Sequence, residues 1–236
     1  MINRKYYIIF IPLIFFGTFF LKAQNKEQSN LILGYAEVQE LSFHIYEPRL
    51  KVKATISNLN EVKNKYPEQL MQSILSASNQ KWVNYNTLNG EKDKQEQSHF
   101  DRIKSMDKNK NYFELHHKLT FNLGDIPTSI IKFFFYQENE EPLSASYVMQ
   151  KVEGRWQRTS HVSLSTLSII VMRMKSEILE GIILGSSDDP NIVSIRDRVT
   201  INESLDLKKL EQEFVSWYDP VIDQKKINLY KDPMTW

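Results

Sequence analysis

The chain has 236 residues, 41% of them hydrophobic and 25% charged, with a formal net charge of +1 and no cysteine. These proportions suit a globular chain long enough to bury a core; they exclude wholesale disorder, a collagen or coiled-coil rod and a multi-span membrane protein. The near-neutral balance gives no electrostatic handle on nucleic acid, and the absence of cysteine excludes disulfides, thiolate metal sites and cysteine nucleophiles.

The first segment reads as an address. Arg4 and Lys5 precede the apolar run Ile8–Leu21, and Ala23 stands just before Gln24. A basic start, a short apolar stretch and a small residue at its end make a secretory signal over residues 1–23. The run is shorter than the ~20 residues that cross a bilayer comfortably, so no membrane span is expected once the signal is removed. The expectation is an exported protein, periplasmic or extracellular. Residues 24–236 are then one α+β domain with a C-terminal extension from about residue 185.

Leu33–Ile56 reads as two strands joined near Glu47–Pro48, because Leu41, Phe43 and Ile45, then Leu50, Val52 and Ala54, alternate with polar residues. Asn58–Ser78 reads as a helix with Pro67 in a first-turn position, and Trp82–Leu88 as a short strand. Asn89–Gln97 is a polar loop. Ser98 and Asp101 have capping-box spacing for a short helix ending near Met106. Tyr112–Leu123 alternates strictly, with Phe113, Leu115, His117, Leu119, Phe121 and Leu123 assigned to one dry face. Ser129–Gln137, Ser144–Val152 and Trp156–Leu164 follow as strands, separated by Gly124–Pro127, Asn139–Pro142 and Glu153–Gly154. Connections this short require an antiparallel meander. Thr166–Ile183 reads as one amphipathic helix, Ile192–Ile201 as a strand and Leu205–Tyr218 as a helix. The tail Val221–Trp236 carries Tyr230 and Trp236 as anchors.

The element order from about residue 67 to 164, closed by Val148-Met-Gln-Lys-Val-Glu-Gly-Arg-Trp156, resembles the nuclear transport factor 2-like (NTF2-like) superfamily, in which a V-x-G-x-W hairpin recurs. The resemblance implies a curved antiparallel sheet packed on helices, shaped as a cone with an open mouth, here with N- and C-terminal additions placed to cover that mouth. It implies no single activity, since members range from enzymes to ligand-binding and scaffolding modules. Members also pair through the sheet, and Phe133–Tyr136 puts aromatics on both faces of one strand, so that strand is covered on both sides. The cover is either the C-terminal region from Ile192 or the second subunit of a homodimer.

His117 stands on the apolar side of its strand, where a histidine in an apolar pocket can act as a general base; a hydrogen-bonded core histidine is the plainer reading. Glu114 and His116 are expected on the opposite face. For the same reason His116 and His117 cannot chelate one metal ion, and His44, His99 and His161 lack ligand spacing. Asp188, Asp189 and Asp197 lack the alternating ligands of a calcium loop. No G-x-S-x-G elbow, phosphate loop or dinucleotide fingerprint is present. The expected binding residues are Phe113, His117 and Trp82, with no metal and no cofactor. The leading expectation is a non-enzymatic module of the bacterial envelope that binds a small ligand or an envelope protein. The alternative is a small hydrolase- or dehydratase-like enzyme using His117.

Overall fold

The computed structural model describes residues 31–33, 36–88, 94–160, 164–200 and 207–219. The export segment, most of the Asn89–Gln97 loop, His161 and the tail with Tyr230 and Trp236 lie outside the described residues.

The fold is α+β. Strands β1 (Leu31–Leu33), β2 (Ala36–Lys53), β3 (Tyr112–Leu123), β4 (Ile126–Tyr136), β5 (Leu143–Val152) and β6 (Arg155–Thr159) form one sheet in sequential order, every neighbour antiparallel. The meander from β3 to β6 is therefore as the short connections require. The β5–β6 turn has positive φ at both Glu153 (52°) and Gly154 (80°), the geometry that matches a two-residue hairpin to the strand twist. Helices α1 (Pro67–Ser76), α2 (Gln80–Asn86) and α3 (Gln97–Ser105) precede β3. Helices α4 (Ser165–Arg173), α5 (Ser176–Leu184), α6 (Pro190–Thr200) and α7 (Leu207–Glu213) follow β6.

Several expectations are corrected. Residues 82–88 are not a strand: Asn79 accepts the Trp82 N–H at 3.0 Å and caps α2, leaving Trp82 and Asn86 buried one turn apart. Residues 192–200 are not a strand either, and Ile201 lies outside the described residues. Pro190 opens α6, and the Asp189 carboxylate accepts the Asn191 N–H at 2.8 Å. The helix expected from Asn58 is a 3-10 turn, Leu59–Glu61, then α1 from Pro67, because Tyr66 before the proline is extended (φ −129°, ψ 152°). Glu96, not Ser98, holds the N-cap position of α3. The single helix expected over 166–183 is two, interrupted at Met174 and Lys175, both extended (ψ 146° and 147°). The expected strand from Trp156 ends at Thr159, four residues after its start at Arg155.

The largest correction concerns β3. Its pairing with β4 runs Leu115 to Phe133 and then His117 to Lys132, so His116 is an extra residue. On β2, four residues, Tyr46–Arg49, are accommodated opposite the same point. A one-residue bulge reverses the faces beyond it. Phe113 and Leu115 consequently pack with Leu70, Met71 and Ile74 of α1, whereas Leu119 and Phe121 pack with Leu167, Val171, Leu179 and Ile182 of α4 and α5. The alternation in β3 is thus two half-strands feeding two cores, not one dry face. β4 serves both cores along its length: Ile131, Phe133 and Phe135 on the α1 side, Ile130 on the α4–α5 side. The second face of the sheet is covered within the chain, by α4 and α5 backed by Ile192, Ile195, Leu210 and Trp217. Among the described residues no helix is long and apolar enough to cross a membrane.

Deletion of His116 removes the extra residue and drives Leu119 and Phe121 to the wrong face. The deletion variant is expected to lose near-UV circular dichroism and cooperative urea unfolding, while His116→Ala, which keeps the bulge, retains both. A deletion variant as cooperative as the parent would contradict this assignment.

Candidate functional site

The bulge gathers a buried polar cluster between the sheet and the α4–α5 break. His117 leaves β3 on the α5 side with 0% exposure. Its Nδ1 lies 2.8 Å from Ser176 Oγ and its Nε2 3.1 Å from the Val171 carbonyl. The carbonyl can only accept, so Nε2 carries the proton and Nδ1 accepts from the Ser176 hydroxyl. Burial, then the charge of Lys132, holds the His117 pKa well below the ordinary histidine range. The neutral ring is what this site stabilises.

Lys132 faces His117 across the strand pair and is 1% exposed. Its Nζ donates to the Met174 carbonyl at 2.7 Å and to the Asp219 carboxylate. Burial lowers its pKa and the neighbouring Asp219 charge opposes that shift. The helix interruption now has a cause: an extended Met174 and Lys175 turn the Met174 carbonyl toward Lys132 and place Ser176 at the start of α5, against His117.

His116, the bulged residue, packs tilted against the Phe134 ring at a centroid distance of 4.5 Å. Phe134 and Lys132 share a face of β4, so His116 and His117 lie on one face, contrary to the expectation for adjacent strand residues. Burial, then Arg49 and Lys132, lowers the His116 pKa to about 4. Its Nε2 is 3.4 Å from Glu114 Oε1 but has no hydrogen-bond partner. Despite the shared face, no group of three or more histidines, cysteines or acids able to hold a metal occurs among the described residues.

The three expected binding residues are not brought together. Phe113 lies in the α1-side core with its ring 4.5 Å from Phe133 and 5.2 Å from Phe135. Trp82 lies under α2, its Nε1 donating to Ser73 Oγ at 2.8 Å, and Ser73 in turn donates to Asn86 Oδ1 at 2.7 Å. His117 is in the opposite core. Each is buried with its polar atoms paired inside the protein. On the α1 side Glu68 Oε1 accepts from both Tyr46 and Lys118 at 2.6 Å. Burial alone would raise the Glu68 pKa, but these two hydrogen bonds, together with a backbone hydrogen bond and the Lys118 charge, hold the carboxyl below its usual range, while burial and Glu68 push the Tyr46 hydroxyl up. Lys118 reaches this side because the bulge has turned it there.

Among the surface recesses of the described residues, two stand out by volume. One, of about 200 Å³, lies between the end of α3 and the β3–β4 edge, with Ile103, Met106 and Phe135 beside Arg102, Asp107 and Glu138. The other, of about 190 Å³, lies between α6 and α7 over Ile195, Leu210 and Phe214. His117 lines neither. Sequence reasoning found His117 but missed Lys132, Ser176 and Asp219. Lys132, a lone cation within Ile130–Tyr136, was the available signal. No protein-family model, curated protein or solved structure matches the chain.

Removing the Ser176 hydroxyl leaves a buried ring nitrogen unpaired, so Ser176→Ala is expected to lower the urea unfolding free energy by about 1–3 kcal/mol. The pH dependence follows from the histidines. Their folded pKa values lie below the unfolded value of about 6.5, so the unfolded chain binds more protons between that pH and about 4. Stability is complete above the unfolded pKa and falls as pH drops through this window. His116→Gln is expected to flatten the fall, as measured by urea midpoints at successive pH values.

Proposed function

We propose that the chain is an exported, non-enzymatic binding module built on an NTF2-like plan, which recognises a protein partner at the α3 end of its sheet. The observation that carries this reading is the α3 recess. Its volume of about 200 Å³ is below the roughly 300–1,000 Å³ of small-molecule sites and suits one apolar side chain of a partner. Ile103, Met106 and Phe135 give it an apolar base, and Arg102, Asp107 and Glu138 a charged rim, the arrangement of an anchor pocket with a polar surround. The non-enzymatic part rests on His117, whose ring nitrogens are both engaged at zero exposure. A general base must reach the proton it takes, and this one does not reach the surface.

The test is site-specific photo-cross-linking of the full chain in intact cells, with the photoreactive residue at Ser105 or, as control, at Lys63. A discrete adduct in the envelope fraction is expected from Ser105, absent from Lys63 and lost when Met106→Trp fills the recess. No Ser105-dependent adduct, or a catalytic turnover abolished by His117→Gln in a folded variant, would overturn the proposal.

A further inference from the structure

The two edges of the sheet are finished differently. At the far edge the chain itself closes β6: the Asn64 carbonyl accepts the Trp156 N–H at 2.8 Å, the Leu88 N–H donates to the Arg158 carbonyl at 2.8 Å, and Thr87 bridges Arg158. At the near edge β1 covers β2 only from Ala36 to Val38. From Gln39 to Lys53 β2 pairs with β3 on one side, and among the described residues no strand occupies the other. An open strand edge is a template for a further extended chain.

Three cations line the last part of that edge. Arg49, Lys51 and Lys53 alternate along β2 with Leu50 and Val52, so they recur on one face at about 6.8 Å, the two-residue repeat of a strand. Arg49 Nη1 donates to the His116 carbonyl at 2.8 Å, Lys51 Nζ to the Tyr112 hydroxyl at 3.4 Å and Lys53 Nζ to Asn109 Oδ1 at 3.0 Å. Every acceptor is neutral, and every one lies on β3 or in the loop before it. The cations therefore lean inward over the sheet instead of projecting across the edge to blunt it. Among the described residues none of the three is in an ion pair. The nearby acids are engaged elsewhere: Glu114 accepts from the Tyr136 hydroxyl at 3.5 Å and lies 3.4 Å from His116, and Glu138 pairs with Lys110. Leu50, between the cations, is 40% exposed.

We propose that the Arg49–Lys53 edge of β2 accepts an acidic peptide, added to the sheet as a further strand with a carboxylate at every second residue. Such a strand has the same two-residue period as the cations, so its carboxylates fall beside Arg49, Lys51 and Lys53, the opposite-charge arrangement that stabilises neighbouring strands. Its intervening side chains fall beside Leu50, where apolar β-branched residues fit. Its backbone takes up the hydrogen bonds that β2 leaves open. A single-stranded nucleic acid would also meet the positive charge, but Tyr112 and Tyr136 are stacked on one another at 4.8 Å and 10°, with Lys51 4.8 Å from the Tyr112 ring centre, so these rings are closed to a base. The assignment rests on the β2 edge and not on the α3 recess.

Fluorescence anisotropy on the full chain tests this at about 0.15 M salt, with a labelled octapeptide that alternates glutamate and valine as the probe. Saturable binding is expected. Lys51→Glu combined with Lys53→Glu is expected to weaken it about tenfold or more. Lys63→Glu combined with Lys65→Glu makes the same charge change on the exposed residues flanking Asn64, at the far edge, and is expected to leave binding within about twofold. Lys51→Gln combined with Lys53→Gln carries the test if the charge reversal does not fold. A peptide of the same composition with its glutamates in one block, or one methylated at every backbone nitrogen, is expected to bind about tenfold more weakly. No saturable binding, equal binding of the block or methylated peptide, equal binding by the β2 variants, or equal affinity for an oligothymidylate of matched charge would overturn the assignment.

Discussion

One extra residue in β3 organises the molecule. With His116 bulged opposite Lys132, the strand enters the sheet facing α1 and leaves it facing α4 and α5. A regular strand would send Phe113, Leu115, Leu119 and Phe121 to the same side. The bulge divides them, and the sheet becomes a partition between two cores, each closed by helices from a different part of the chain. The helices before β3 cover one face and those after β6 cover the other, so described segments on both sides of the meander are committed to one sheet.

The same bulge sets a second constraint. It leaves His117 and Lys132 side by side in the α4–α5 interface, where neither can reach water. A buried cation and a buried imidazole must find partners within the protein. Those partners are the Val171 and Met174 carbonyls, the Ser176 hydroxyl and the Asp219 carboxylate. Two of them exist only because the helix is interrupted after Arg173, and one because Tyr218 and Asp219 pair back across the interruption. The interrupted helix and this returning segment are therefore consequences of polar groups in the sheet. Neither segment has a glycine or proline at Met174–Lys175 to cause the break on its own account.

What could be read from the sequence follows from this hierarchy. The boundaries of β3, the end of β5 and the hairpin at Glu153–Gly154 are local matters of period and turn chemistry, and they are legible. The bulge is not. Period-two alternation continues unbroken through Leu115, His116 and His117, and a face reversal leaves no mark when both faces are buried. Residues 82–88 and 192–200 are ambiguous from sequence because short apolar-rich runs satisfy either period. The caps Asn79 and Asp189, which decide for helix, were the signals to weigh. Of the site, His117 was legible as an oddity on an apolar strand, whereas its partners come from residues 54 to 59 positions away. Phe113 and His117 are parted because the bulge sends them to opposite sides of the sheet, and Trp82 packs in a third cluster with Val62 and Ala77.

These constraints enclose the polar cluster between the sheet and the α4–α5 break, which makes the state of His117 the most direct test of the account. Nitrogen-15 NMR of its imidazole reports that state. The bulged sheet predicts a neutral ring with one fixed tautomer, a slowly exchanging Nε2 proton and no titration in the ordinary histidine range. A ring that titrates near its ordinary value with rapid proton exchange would mean that His117 faces water, that β3 does not reverse, and that the two-core arrangement is wrong.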